Sequence, residues 1–327
     1  MQDSRATADD ILRIDGLTIE LSRSGGDVCS IVDDVSLTIG AREIVGLIGE
    51  SGSGKTVTAK SLIGLLPDRI RVAAGTAMFR GKDLFTLPAK EMRDIRGAEI
   101  SVIPQDALHA LNPVHRIGRQ VGEPVRIHTE RKESAIRKLV LKLLDKVRID
   151  RPELRIGQFP HQFSGGMQQR ALTAMALSME PPLIIADEPT TALDVTVQAQ
   201  IIELLKDLHK ETEASFLFIS HDLGLVSSLC HRIYVMYAGV IVESAKAEDI
   251  FSNPRHPYTR ALIGSVPRLR SNPDELQTIA GQVPSPFDHD GGCRFRNRCP
   301  LAEDRCRKAP PVRDDGHGHV SRCWMET

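Results

Sequence analysis

The clearest chemical pattern in the chain is a short run of glycines and serines that ends in a lysine and a hydroxyl. It comprises Gly49, Glu50, Ser51, Gly52, Ser53, Gly54, Lys55 and Thr56, and Val57 follows it. Glycine lets the backbone turn its N–H groups inward around an anion, the lysine can reach outer phosphates, and the hydroxyl can ligate Mg²⁺. An apolar run, 44–48, comes before it and a helix-compatible stretch after it. This context predicts a phosphate-binding loop at a helix N-terminus.

Two carboxylates end a second apolar run, 183–186, further along the chain. An aspartate at the end of a strand, here Asp187, can hold Mg²⁺ directly or through water. The next residue, Glu188, is placed to act as a general base toward an attacking water. A strand can also end in a solvated acidic turn, so the pair indicates catalysis only together with the phosphate-binding loop.

A second candidate anion site is the segment Ser164, Gly165, Gly166 and Met167, which opens a helix-compatible stretch, 165–179. The N–H groups and the dipole at a helix N-terminus attract negative charge. Serine is also an ordinary helix N-cap, so the segment alone leaves both interpretations open.

The composition is that of a globular protein, with 41% hydrophobic and 26% charged residues among 327. The net charge of −1 provides no basic field for nucleic acid, and a single tryptophan disfavours a base-stacking platform. No apolar stretch reaches the roughly 18 residues that a membrane span needs. The N-terminus lacks the apolar segment of a secretory signal, so we expect a reducing compartment.

Strand-like and helix-like runs alternate over the first 250 residues, which predicts an α/β core with a mostly parallel sheet. The stretch 104–180 is mostly helical and predicts a helical subdomain within a domain at 1–251. Beyond it, proline and glycine become frequent, which predicts a smaller unit at 252–327. The predicted strands are 11–21, 35–39, 43–48, 99–103, 182–187, 215–220, 232–236 and 240–243, and the predicted helices are 117–127, 133–147, 165–179 and 195–211.

Taken in order, these segments resemble the ABC-type ATPases over residues 10–250. The octet 163–170 resembles the signature motif, whose serine and glycines bind the γ-phosphate held on the opposite subunit. The resemblance implies a P-loop NTPase core of the ABC type, with an antiparallel β edge, that binds ATP and Mg²⁺. Gln105 then corresponds to the Q-loop residue, which senses Mg²⁺ and the water, and His221 to the switch histidine. Residues 192–194, ending in Asp194, correspond to the D-loop that crosses the dimer interface.

One feature departs from that family. Many of its members stack an aromatic residue on adenine about 20 residues before the phosphate-binding loop, a position that falls near Cys29. No tyrosine, phenylalanine or tryptophan lies between Leu21 and Gly49. We therefore expect the adenine contact to come from elsewhere.

The segments 106–113 and 253–262 and the Cys-rich tail resemble the ATP-binding subunits of oligopeptide, dipeptide and nickel importers. That resemblance implies an ATP-hydrolysing subunit that energises peptide import from the cytoplasmic face of the membrane. Its implied partners are a second ABC ATPase (a sister chain or a copy of itself), two transmembrane permeases and, indirectly, an extracytoplasmic substrate-binding protein. Nickel or opines remain alternative substrates, and a non-transport ABC ATPase remains an alternative function.

Four cysteines lie within the last 35 residues, at Cys293, Cys299, Cys306 and Cys323. Clustered thiols in a reducing compartment suggest a metal rather than disulfides. Their spacing is wider than that of zinc knuckles and favours a [4Fe–4S] cluster, with Zn²⁺ or no metal as alternatives. His317 or His319 could replace one ligand in a zinc site. Such a module would act as a structural clip or as a redox sensor.

Overall fold

The computed structural model describes residues 10–23, 26–191, 193–265 and 279–325. The chain divides into two compact units. The first unit comprises Met1–Ile39, Ile44–Thr86 and Phe218–Thr327, and the second comprises Gly40–Glu43 and Leu87–Leu217.

Both units contain β-strands, and many of these strands alternate with helices along the sequence. They are β1 (Asp10–Ser22), β2 (Val28–Gly40), β3 (Ile44–Ile48), β4 (Ile70–Phe79), β5 (Lys82–Asp83), β6 (Ile100–Ile103), β7 (Leu183–Asp187), β8 (Ser215–Ser220), β9 (Arg232–Tyr237), β10 (Val240–Lys246), β11 (Val312–Asp314) and β12 (Val320–Arg322).

The α-helices are concentrated in the second unit. They are α1 (Lys55–Leu62), α2 (Ala89–Ile95), α3 (Ala107–Ala110), α4 (Ile117–Val121), α5 (Glu123–His128), α6 (Glu133–Lys146), α7 (Pro152–Arg155), α8 (Gly165–Ala176), α9 (Val195–Glu211), α10 (Leu223–Leu229), α11 (Ala247–Ser252) and α12 (Pro257–Gly264). Short 3₁₀ turns add Pro160–Gln162, Pro286–Asp288, Arg296–Arg298 and Asp304–Arg307.

The first unit contains an antiparallel sheet in the order β2-β1-β4-β5. In β1, Leu12, Ile14, Leu17 and Ile19 are fully buried, since alternate side chains of a strand point to one face. The partner β4 was not predicted. Its middle residues are small or exposed, so an apolar alternation is weak there.

The first unit also contains strands in the order β11-β12-β10-β9-β3, which make a mixed arrangement. β3 runs parallel to β9, with Val45 opposite Arg232 and Ile48 opposite Val235. β9 and β10 are antiparallel, and so are β10 and β12. All five residues of β3 are buried, as its continuous apolar run predicts. β3 therefore gives the loop that follows it a rigid base.

The second unit brings β6 and β7 side by side in parallel, from Ile100 opposite Leu183 to Ile103 opposite Ala186. Helix α8 packs against α3, α4, α6 and β6. The sequence predicted a single helix over 117–127, but the structure has two helices there. The break lies between α4 and α5 at Gly122, where Pro124 lacks the N–H that would continue the helical hydrogen bonds.

Candidate functional site

The phosphate-binding loop, residues 49–56, connects β3 to α1 in the first unit. Its first glycine leaves no room for a side chain: Gly49 has a φ of +154°, and a Cβ there would lie 2.0 Å from the carbonyl oxygen of Met236. Gly54 precedes α1 with a φ of +105°, which aims the first N–H groups of the helix back toward the loop. The two glycines thus shape the loop that the sequence predicted.

Lys55 is the charged centre of this loop. Its side chain is only 4% exposed, and Nζ donates hydrogen bonds to the carbonyl oxygens of Gly49 at 2.8 Å and Glu50 at 3.0 Å. No acidic residue lies in the first turn of α1. The lysine charge and the helix dipole therefore add, and both favour an anion at this end of the helix. Thr56 and Val57 are half-buried in the same turn.

In the second unit, the parallel pairing of β6 and β7 brings together residues that lie far apart in sequence. Gln105 follows β6, Asp187 ends β7, and Glu188 comes next. Because parallel strands end at the same edge of a sheet, Gln105 Nε2 donates to Glu188 Oε2 at 3.2 Å. Thr191 Oγ1 donates to the same oxygen at 3.0 Å. The tertiary structure thus connects two residues that sequence motifs placed separately.

Glu188 has an unusual backbone conformation, with a φ of +47°. A non-glycine residue in this region costs about 1–3 kcal/mol and is found most often at functional sites. Asp187 stays buried at the strand end, 7% exposed, while Glu188 is half-buried. The two carboxylates therefore differ in their exposure to solvent, although they are adjacent in sequence.

Ser164 caps α8, accepting a hydrogen bond from the N–H of Met167 at 3.4 Å. Ser164 and Gly165 are exposed at that helix N-terminus. Gly166 lies against α9, where a Cβ would come within 2.7 Å of Val197 Cγ1. The structure therefore shows the N-cap, and it leaves this end of the helix exposed to solvent.

Two further predicted residues are also exposed. Asp194 caps α9 and accepts from the N–H of Val197 at 3.0 Å. Ala192, part of the predicted D-loop, lies outside the described residues. His221 follows β8 in the first unit, and the next residue, Asp222, caps α10.

The four tail cysteines are free thiols in the first unit. Burial, and to a smaller extent the neighbouring thiols Cys306, Cys323 and Cys299, raise the pKa of Cys293 to about 11. The described residues nevertheless contain no group of three or more His, Cys, Asp or Glu side chains placed to hold a metal ion. The thiols can affect the pKa of one another without forming a metal site. Charges interact over several ångströms, whereas a metal–sulfur bond needs a distance of about 2.3 Å.

Sequence motifs gave no indication of two residues that contact the phosphate-binding loop. Tyr258 and Arg298 both reach Glu50, from more than 200 positions away. No local pattern could have found them, because the fold alone brings such distant residues together.

Comparison with known proteins places these features in a family. Residues 32–191 match the model of the ABC transporter family, and residues 242–306 match the oligopeptide/dipeptide transporter C-terminal region. The dipeptide transport ATP-binding protein DppD of Bacillus subtilis is 46% identical over 97% of this chain and 95% of its own length. The oligopeptide transport ATP-binding protein OppD of Haemophilus influenzae is 42% identical over 96% of this chain and 97% of its own.

The chain belongs to the ATP-binding proteins of peptide ABC transporters. Among solved structures, the ATP-binding cassette MJ0796 in its dimeric, post-hydrolysis state with ADP and Pi has a TM-score of 0.64 at 26% identity. That match covers 72% of this chain and 98% of the cassette. The ABC cassette fold with a mixed sheet and helices is therefore confirmed, whereas the Cys-rich extension stays a prediction. Across the described ranges, no helix is long and apolar enough to cross a bilayer.

Proposed function

We propose that this family member hydrolyses ATP and uses the free energy to drive peptide import. The observation that carries the proposal is the phosphate-binding loop with Lys55 buried against it at a helix N-terminus. The names of the dipeptide and oligopeptide transport relatives support peptides as the substrate class. In this proposal residues 1–251 form the ATPase domain, with its helical subdomain at 104–180, and residues 252–327 form the extension.

Residues 49–57 bind the phosphates of the chain's own nucleotide through backbone N–H groups and Lys55. Hydroxyl, amide and carboxylate oxygens are the ligands that Mg²⁺ prefers, so Thr56, Gln105 and Asp187 suit that ion. When bound, Mg²⁺ neutralises phosphate charge and thereby favours attack at phosphorus. His221 contacts the γ-phosphate. Ser164, Gly165, Gly166, Met167 and Asp194 complete the site of a second ATPase subunit.

Glu188 acts as the general base. It accepts a proton from the attacking water while the water oxygen bonds to the γ-phosphorus and the bond from phosphorus to the ADP oxygen breaks. The Gln105 amide and the Thr191 hydroxyl both donate to Oε2, and these two hydrogen bonds fix the orientation of the carboxylate.

The Glu188→Gln substitution tests this role. We expect hydrolysis to fall by about a hundredfold or more, because an amide cannot accept the proton, while ATP binding is retained. A fluorescent nucleotide measures binding and phosphate release measures hydrolysis. The exposed Glu203→Gln on α9 is the matched control, and undiminished hydrolysis in Glu188→Gln would exclude the residue as the base.

We further propose that the chain works at the cytoplasmic face of the membrane. There it pairs with a second ABC ATPase, which is a sister chain or a copy of itself. The two ATPases lie beneath two permeases, and a substrate-binding protein delivers the substrate to the permeases. The exposure of Ser164, Gly165 and Asp194 supports such pairing, since each stays accessible to another subunit. Purification from the native membrane should recover integral membrane proteins. If the chain is recovered with ribosomes instead, a non-transport function would be favoured. If a transport assay shows uptake of nickel or opines and not of peptides, the substrate class would have to be changed.

For the four tail thiols we propose a [4Fe–4S] cluster, with Zn²⁺ as the alternative. Their proximity supports it, although the described side chains are not yet arranged as ligands and must reorient to bind. Anaerobic purification followed by iron, sulfide and zinc analysis decides between the two. A chain that contains none of these elements would refute a metal of either kind.

A further inference from the structure

Glu50, the second residue of the phosphate-binding loop, is held by a side chain from the other end of the sequence. Arg298 forms a two-pronged ion pair with it: Nη1 lies 2.5 Å from Oε2 and Nη2 lies 3.0 Å from Oε1. The Arg298 side chain is 6% exposed and that of Glu50 is 25% exposed. Such a planar, sheltered pair is stronger and more directional than an ordinary surface ion pair.

Arg298 is itself fixed by further hydrogen bonds. Its Nε donates to the carbonyl oxygen of Ala280 at 2.9 Å, and Nη2 also donates to that of Ile279 at 3.2 Å. Nη1 lies 3.3 Å from the Tyr237 hydroxyl. Because the guanidinium uses several N–H groups in one plane, a lysine could keep the charge but not this set of contacts.

The backbone of Glu50 is anchored at a second point. Its N–H donates to the hydroxyl oxygen of Tyr258 at 2.8 Å. Tyr258 is fully buried and packs against Tyr237 and Phe295, with ring centroids 4.6 and 5.4 Å away. The aromatic group provides a firm support, so Arg298 and Tyr258 together restrain both the side chain and the backbone of Glu50.

The charge of Glu50 makes this restraint relevant to nucleotide binding. A carboxylate within a loop that receives a polyanion repels it, and the repulsion is strong where water is partly excluded. Arg298 places a cation on that carboxylate, and ion pairing raises the pKa of the guanidinium above its ordinary value, so it stays charged. The loop thereby presents its N–H groups and Lys55 without an opposing charge.

We propose that Arg298 is a positioning residue of the nucleotide site, which neutralises Glu50 and holds the phosphate-binding loop in its binding conformation. The inference rests on the proposed binding of ATP by that loop. It assigns to the C-terminal part of the chain an influence on nucleotide affinity. Arg298 acts through Glu50 and does not itself contact the nucleotide.

The test compares three variants of the full chain by titration with a fluorescent ATP analogue. We expect Arg298→Gln to weaken binding about tenfold, because it leaves the Glu50 carboxylate uncompensated. Glu50→Gln combined with Arg298→Gln should recover most of the affinity, since the repelling charge is gone. Arg298→Lys should lie between. The defect of Arg298→Gln should shrink at high salt, which screens charges but would not repair a misfolded loop.

The matched control is Arg296→Gln, which breaks a similar two-pronged pair in the same segment, made with Asp290 and not with a residue of the loop. We expect its nucleotide affinity to equal that of the wild type. Equal affinities in Arg298→Gln and wild type, or no recovery in the double variant, would overturn the proposal. Lys55→Ala separates this inference from the proposed function. If the wild type binds the nucleotide and Lys55→Ala does not, either of these outcomes refutes only the role of Arg298. If the wild type itself does not bind the nucleotide, the proposed function is refuted as well.

Discussion

At the scale of single residues, Gly49 shows how tightly the phosphate-binding loop is built. A Cβ at this position would lie 2.0 Å from a backbone carbonyl oxygen, which cannot move without shifting β9. We expect Gly49→Ala to weaken nucleotide binding by at least about tenfold, because the loop must open to relieve the contact. Titration with a fluorescent nucleotide measures the change.

Gly52 provides the control within the same loop. Its φ is +80° and a Cβ there would meet nothing within 4 Å. Gly52→Ala should therefore show only the conformational penalty of about 1–2 kcal/mol in the free energy of unfolding. Equal binding defects in the two variants would show that backbone conformation, and not the clash with Met236, decides the role of Gly49.

At the scale of elements, the start of α12 carries a buried histidine that responds to acid. His256 is 1% exposed, and its Nδ1 accepts the N–H of Tyr258 at 3.1 Å, which caps the helix. Burial lowers the pKa of this imidazole from 6.5 to about 3. The folded chain therefore keeps His256 neutral over a pH range in which the unfolded chain binds a proton.

This difference sets the sign of a pH effect. Because the unfolded state binds more protons, the contribution of His256 is complete above about pH 6.5 and decreases as the pH falls toward 3. His256→Asn keeps an acceptor for the helix cap but does not titrate. We expect its free energy of unfolding to decrease less steeply with acid than that of the wild type, as measured by denaturant unfolding across that range. Parallel pH dependences would contradict the assignment.

At the scale of the whole molecule, the exposed N-terminus of α8 is where we propose that another subunit completes the site. Ser164→Arg places a long side chain at this end of the helix, on a residue that is exposed in the single chain. We expect the variant to bind nucleotide normally but to lose ATP-dependent association with a second ATPase subunit. Sedimentation in the Glu188→Gln background, where ATP persists, measures association.

Ser228→Arg makes the same change at an exposed position of α10, which contributes no residue to the proposed interface. It should associate like its parent. Association of Ser164→Arg at the parental level would remove the α8 N-terminus from the interface while leaving the phosphate-binding loop unaffected.

The local features could be predicted from the amino-acid sequence alone. The phosphate-binding loop and the strand before it follow from glycine conformation and a continuous apolar run, and the bounds of α9 agree with its apolar spacing. The sequence did not reveal β4, β11 or β12, whose residues form strands through pairing with distant partners. It also missed the break at Gly122, because apolar periodicity continues across the proline that interrupts the hydrogen bonds.

The contacts between residues distant in sequence became known only from the folded structure. The contact of Gln105 with Glu188 depends on the parallel register of β6 and β7, and that of Arg298 with Glu50 spans most of the chain. Motifs record short-range constraints, because backbone conformation and side-chain periodicity act over a few residues. A long-range ion pair produces no periodic pattern in the sequence, because it involves a single pair of side chains that only the complete fold brings together.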